Sequence, residues 1–144
     1  MEYDRKEAMK LKNQLCFPLY AAARSVVGLY TPLLKPLGLT YTQYVVFMVL
    51  WEKESVNVGQ LGGILHLDAG TLTPLLKHLE KEGYITRARS KEDERVTVVS
   101  ITEKGNALKE ECRDIPLKIA ASGSSLSEKD AKELYRLLYK YLEE

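Results

Sequence analysis

Residues 67–101, LDAGTLTPLLKHLEKEGYITRARSKEDERVTVVSI, contain the change of period that decides the fold. Leu72, Leu75, Leu76 and Leu79 fall at i, i+3, i+4 and i+7, the stripe of a helix with one buried face. Asp68 stands where such a helix needs an N-cap, and Gly83 where it should stop. Pro74 lies inside, but Gly70 four residues earlier leaves room for the local distortion. After Gly83 the pattern shortens. Tyr84 to Arg89 and Val96 to Ile101 are rich in β-prone residues and are separated by the charged segment Ser90 to Arg95, which predicts a hairpin with a polar tip.

Upstream, Asn57-x-x-Gln60 caps a short helix through Leu65, and Thr40-x-x-Gln43 has the spacing of a capping box for a helix from Tyr41 to about Glu52. Before these, Leu11, Leu15, Leu19, Ala22 and Val26 predict a long first helix from about Ala8 to Leu29, bent by Pro18. Thr31-Pro32 and Lys35-Pro36-Leu37-Gly38 predict an irregular end to it. Downstream, Thr102 caps a helix carrying Ala107, Leu108, Cys112, Ile115 and Ile119, against which Pro116 argues, and Ser127-x-x-Asp130 opens a last helix with Leu134, Leu137, Leu138 and Tyr141. The fold class is therefore mainly α with a small β-hairpin (α+β). Two short helices followed by a hairpin outline a winged helix-turn-helix, whose second short helix enters a DNA major groove.

Composition sets the bounds. The 144 residues suit one domain, and 45% hydrophobic with 28% charged residues describe an ordinary soluble chain. No apolar run reaches the roughly 18 residues of a membrane span, and the first residues lack the pattern of a signal peptide, so a cytoplasmic protein without a membrane role is expected. Two cysteines and two histidines without a CxxC motif predict no metal and no cofactor; if the cysteines do chemistry, it is redox chemistry. With 21 Lys+Arg against 20 Asp+Glu, composition by itself does not point to nucleic acid. Gly59, Gly62 and Gly63 in the short third helix are unexplained, each weakening it by about 1 kcal/mol relative to alanine.

Opposite its leucine stripe, the helix after Asp68 carries Gly70, Thr71, Thr73, Lys77, His78 and Lys81, a small and polar face that permits close approach and contacts to bases and phosphates. The same face is also that of a solvated surface helix. Asp68 is a cap first and a DNA contact second. Arg87, Arg89, Lys91 and Arg95 give the hairpin the cations of a wing, while Glu92, Asp93 and Glu94 nearly cancel them, as in an ordinary charged turn. Asp93 can hold Arg95 extended through a charge-assisted bond.

Asn13-Gln14-Leu15-Cys16-Phe17, Leu39-Thr40-Tyr41-Thr42-Gln43-Tyr44, the run from Leu67 to Lys77 and Asp93-Glu94-Arg95 together resemble the MarR family of bacterial regulators, specifically its organic-hydroperoxide-sensing OhrR branch. The matches extend over nearly the whole chain in order. The Asp-x-Arg wing is family-wide; the cysteine motif combined with Leu-Asp-x-Gly-Thr-Leu-Thr-Pro is specific to the branch. The resemblance implies a single MarR-type domain forming a homodimer, with dimerisation helices in 1–38 and 103–144 and a DNA-binding region in 40–102. It also implies binding to a double-stranded inverted-repeat operator, usually as a repressor.

It further implies that the thiol matching Cys16 is oxidised by organic hydroperoxide, with the tyrosines matching Tyr30 and Tyr41 reaching it from the partner subunit. Tyr20, one turn after Cys16, is a third candidate. Read without the resemblance, Cys16 is a small hydrophobe and each tyrosine a packing residue. Cys112 does not match the second cysteine of the disulfide-forming subset, so a one-cysteine sensor is expected, using a small thiol or overoxidation after sulfenate formation. Three alternatives stand beside this: a MarR-type regulator answering a small aromatic ligand with Cys16 incidental, a thiol peroxidase, and a non-sensing interaction module. The second has no thioredoxin-like pattern to support it.

Overall fold

In the computed structural model, residues 4–143 are described. The elements run α1 (Arg5–Ala8), α2 (Cys16–Leu34), α3 (Tyr41–Lys53), β1 (Ser55–Asn57), α4 (Val58–Leu65), α5 (Ala69–Lys81), β2 (Ile85–Arg89), β3 (Thr97–Ile101), α6 (Glu103–Cys112), α7 (Ile115–Ala121) and α8 (Glu128–Leu142), with short 3-10 turns at Leu11–Asn13 and Lys35–Leu37. Every cap named above forms: Thr40 and Gln43 make the reciprocal box, and Asn57, Asp68, Thr102 and Ser127 each accept a hydrogen bond from the backbone N–H three residues on.

Three expectations are corrected. The single first helix is instead α1, a 3-10 turn and α2, and Pro18 lies in the first turn of α2, where its missing N–H has no intrahelical acceptor to lose. Pro18 therefore starts a helix instead of bending one. The proline within the body of α2 is Pro32, and it has Gly28 four residues before it, the same spacing as Pro74 to Gly70 in α5. The helix expected from Thr102 to Ile119 divides into α6 and α7, because Pro116 cannot donate to the carbonyl of Cys112.

The hairpin is also more than two strands. Ser55–Asn57 adds a third, giving an antiparallel sheet of order β1-β3-β2 with Val56 opposite Val99 and Arg87 opposite Val99 on the other side. Val56, Ile85 and Val99 seal the sheet to a core of Leu34, Val46, Phe47, Leu50, Leu61, Leu72, Leu76 and Leu79. Gly62 belongs to this packing: a β carbon there would lie 2.8 Å from the carbonyl oxygen of Leu67, so the tight passage from α4 to α5 requires its absence.

The two ends of the chain are different. No residue of α8 is buried, and its Leu134, Leu137, Leu138, Tyr141 and Leu142 are exposed, as are Phe17, Tyr20, Val26 and Leu29 of α2. Among the described residues, no single helix is long and apolar enough to cross a membrane.

Candidate functional site

The α5 helix buries Leu72, Leu76 and Leu79 and exposes Gly70, Thr71, Thr73, Lys77, His78 and Lys81. Asp68 accepts the Thr71 N–H at 2.8 Å and is engaged as the cap. At the wing tip, Asp93 grips Arg95 with both carboxylate oxygens, Nε to Oδ1 and NH2 to Oδ2 each at 3.1 Å, and also accepts the Arg95 backbone N–H at 3.0 Å. The guanidinium beside Asp93 holds its carboxyl below the usual range. Arg95 is thus fixed in direction while 91% of its side chain stays exposed, the geometry of a cation held out toward a partner. Arg89 is exposed as well.

Arg87 behaves otherwise. It turns back onto Glu80 of α5 at 3.0 Å, and its side chain is only 23% exposed. Between the exposed face of α5 and the wing lies a cleft of about 430 Å³, with Gly59, Thr73, Arg87, Arg95 and Thr97 in its walls.

At the other end of the molecule, Cys16 is the first residue of α2 and exposed. Tyr20, one turn later, is 60% exposed, with the Arg24 guanidinium 5.5 Å from its ring centre. Tyr30 and Tyr41 do meet, ring centres 5.0 Å apart at an edge-on angle of 62°. They do not meet Cys16 of the same chain: Tyr30 is 14 residues farther along the same helix, about 21 Å at the helical rise.

Tyr44 was not anticipated. It is 3% exposed and lies 5.8 Å from Tyr30, and burial followed by the neighbouring Tyr30, Cys112 and Tyr41 raises its phenol. Its position three residues after Tyr41 was the available signal. From Tyr44 the rings continue through Trp51 (6.2 Å), Phe47 (5.6 Å from Trp51) and Tyr84 (5.4 Å from Phe47), which links the tyrosine pair to the start of β2. Burial also raises the Tyr41 phenol, with Tyr30 adding to it.

Cys112 is 2% exposed, and burial, reinforced by Glu111, pushes its thiol up to about 11. Such a thiol gives almost no thiolate at neutral pH. No group of three or more His, Cys, Asp or Glu among the described residues could hold a metal ion.

Residues 28–112 match the family model described as transcriptional regulator SarA/Rot. The chain is 50% identical over 135 residues to the organic hydroperoxide resistance transcriptional regulator of Bacillus subtilis, covering 94% of this chain and 91% of that one. Reduced AbfR bound to DNA superposes with a TM-score of 0.77 at 33% identity, over 97% of each chain. AbfR, from Staphylococcus epidermidis, also has an overoxidised DNA-bound form and a disulfide form. The reduced form of MarR from E. coli shares the fold, with a TM-score of 0.72 at 24% identity over 90% of this chain and 96% of that one. These proteins are regulators of transcription and not enzymes, which sets the thiol-peroxidase reading aside.

Proposed function

Because the chain belongs to the MarR family of transcriptional regulators, in its organic-hydroperoxide branch, we propose that it is a redox-sensing repressor. Its reduced homodimer holds an inverted-repeat DNA operator and lets go when Cys16 is oxidised. DNA is read by α5 through Gly70, Thr71, Thr73, Lys77, His78 and Lys81, with Asp68 at its start, and by the wing through Arg89 and the Asp93-held Arg95. Residues 40–102 form the reading region, and residues 1–38 and 103–144 form the dimer. Acting on DNA, the protein works in the cytoplasm.

The observation that carries the sensing half is the separation of Cys16 from its tyrosines. One chain pairs Tyr30 with Tyr41 and leaves its own thiol about 21 Å away along α2. A second copy docked on the exposed apolar faces of α2 and α8 supplies the missing half, so that each thiol faces the other chain's Tyr30 and Tyr41. Tyr20 travels with Cys16, one turn farther along α2.

In the reaction the Cys16 thiolate attacks one oxygen of an organic hydroperoxide. An S–O bond forms as the O–O bond breaks, the sulfur is oxidised to sulfenic acid, and the other oxygen leaves with a proton as the alcohol. The larger polar group no longer fits against the phenols, and the shift in α2 repositions the two reading heads. The burial of Cys112 supports a one-cysteine cycle completed by a small thiol or ended by overoxidation.

The test compares reduced wild type with Cys16→Ser for operator binding at one salt concentration, before and after titration with cumene hydroperoxide. Release of the wild type alone, reversed by thiol, is expected. Equal release or equal retention of both proteins would overturn the assignment of Cys16 and favour a small aromatic ligand as the effector.

A further inference from the structure

Glu80 is an acid on the helix assigned to DNA reading, where a negative charge should repel phosphate. Both of its oxygens are used on one residue of the wing. Oε1 accepts the Arg87 guanidinium at 3.0 Å and Oε2 accepts the Arg87 backbone N–H at 3.2 Å. Since β2 is an edge strand of the sheet, that N–H lies open on the side away from β3, and the carboxylate takes it. The paired guanidinium keeps the Glu80 carboxyl below its usual range.

This grip acts on geometry more than on stability. The pair is partly exposed, with side-chain exposures of 23% for Arg87 and 39% for Glu80, and ion pairs of that kind add little to folding. What the two bonds fix is the angle of β2 to α5. Tyr84 donates its N–H to the Leu79 carbonyl at 3.0 Å and Gly83 turns with φ of 81°, so helix and strand are already joined by a tight corner. Glu80 adds a second attachment beyond that corner. From Arg87, paired with Val99, the strand runs to Arg89, paired with Thr97, and then to the tip that bears Asp93 and Arg95. The cleft between α5 and the wing is bounded by Thr73 on one side and Arg95 on the other, with Arg87 in its wall.

Resting on the DNA-reading assignment above, we propose that Glu80 is a positioning residue: by holding Arg87 through side chain and main chain, it sets the wing at the reach that lets Arg95 and the α5 face engage one duplex together. Arg87 is then the strut of the wing and not one of its DNA contacts.

Charge alone and position alone predict opposite signs. Removing an acid from a phosphate-facing surface should tighten binding, whereas removing the strut should loosen it. The probe is an inverted-repeat duplex selected from random sequence by the reduced wild-type protein, with affinity measured across a salt series. Glu80→Ala is expected to weaken binding roughly tenfold in the wild type but less than about twofold in an Arg95→Ala background, because the two act through the same contact. Glu80→Gln, which keeps one accepting oxygen on Arg87, recovers most of the loss. Tighter or unchanged binding by Glu80→Ala, or an equal loss in both backgrounds, overturns the inference while leaving the regulatory reading intact. Failure of the reduced wild type to select any duplex overturns the regulatory reading, and this inference with it.

Discussion

The indole N–H of Trp51 donates to the carbonyl oxygen of Gly105 at 2.9 Å, tying α3 to the first turn of α6. Gly105 is buried against the start of β2: a β carbon on it would sit 2.4 Å from the Tyr84 carbonyl oxygen and 2.7 Å from Ile101 Cγ1. The first of these is a backbone atom that cannot rotate away. Gly105→Ala is therefore expected to cost about 3 kcal/mol in urea unfolding, and Trp51→Phe, which loses the hydrogen bond and part of the ring packed against Phe47 and Tyr44, about 2 kcal/mol. A Gly105→Ala protein as stable as the wild type would show that the corner relaxes freely.

Two adjacent glycines of α4 should respond in opposite directions. Gly62→Ala drives a methyl group into the Leu67 carbonyl, whereas at Gly63 nothing lies within 4 Å of an added β carbon. Thermal unfolding should show Gly63→Ala stabilised by about 0.5–1 kcal/mol through helix propensity and Gly62→Ala destabilised by at least about 1 kcal/mol. Equal shifts for both would mean that propensity alone governs this helix.

The two thiols should separate cleanly in alkylation. Treated briefly with N-ethylmaleimide at pH 8, the native protein is expected to gain one adduct, on Cys16, which is exposed in the single chain and must admit an organic hydroperoxide in the proposed dimer, and a second only in urea, because Cys112 is 2% exposed and its thiol stands near 11. Mass spectrometry of tryptic peptides reads the result; early labelling of Cys112 would contradict its burial.

The alkaline limit of stability follows from the same region. The thiol of Cys112 and the phenols of Tyr41 and Tyr44 are raised, from ordinary values of 9.0 and 10.0, so the folded chain holds these protons more tightly than the unfolded one. The Cys112 contribution is whole below about pH 9 and is lost as pH rises through about 11, and the tyrosine contributions are whole below about pH 10 and are lost above it. Denaturant midpoints should fall across these intervals, and less steeply in Cys112→Ala.

At the wing, Asp93→Asn removes the bidentate hold on Arg95 together with one negative charge. Operator affinity is expected to fall by roughly 1 kcal/mol despite the gain in net positive charge, and Arg95→Ala should lower the salt slope by about one phosphate. Fluorescence anisotropy with a labelled duplex measures both. Tighter binding by Asp93→Asn would show that the charge matters and the orientation does not.

The caps at Thr40, Asn57, Asp68, Thr102 and Ser127 were legible in the sequence because cap and recipient lie three residues apart, within the reach of local chemistry. The Asp93–Arg95 bond was legible for the same reason. Strand β1 was not, because three residues carry no measurable period and its pairing with β3 spans more than forty residues of chain. Tyr44 was hidden in the continuous apolar run Tyr44 to Trp51, where every face of a helix looks buried. Arg87 read as one more basic residue of the wing because its partner, Glu80, lies across the corner between helix and strand, a proximity created by the fold. The proposed thiol site is a further step removed, since Cys16 opens α2 while Tyr30 lies near the far end of that helix and Tyr41 opens α3.

That last separation has a genetic consequence under the proposed dimer. Each sensor is jointly owned, with sulfur from one chain and phenols from the other. A cell making both a Cys16→Ser chain and a Tyr30, Tyr41 double-phenylalanine chain would assemble mixed dimers in which one sensor is complete and the other lacks both of its contributions. Two alleles that each fail alone would then complement in part, and the response of such a strain to peroxide would count how many oxidised sulfurs are needed to free one operator.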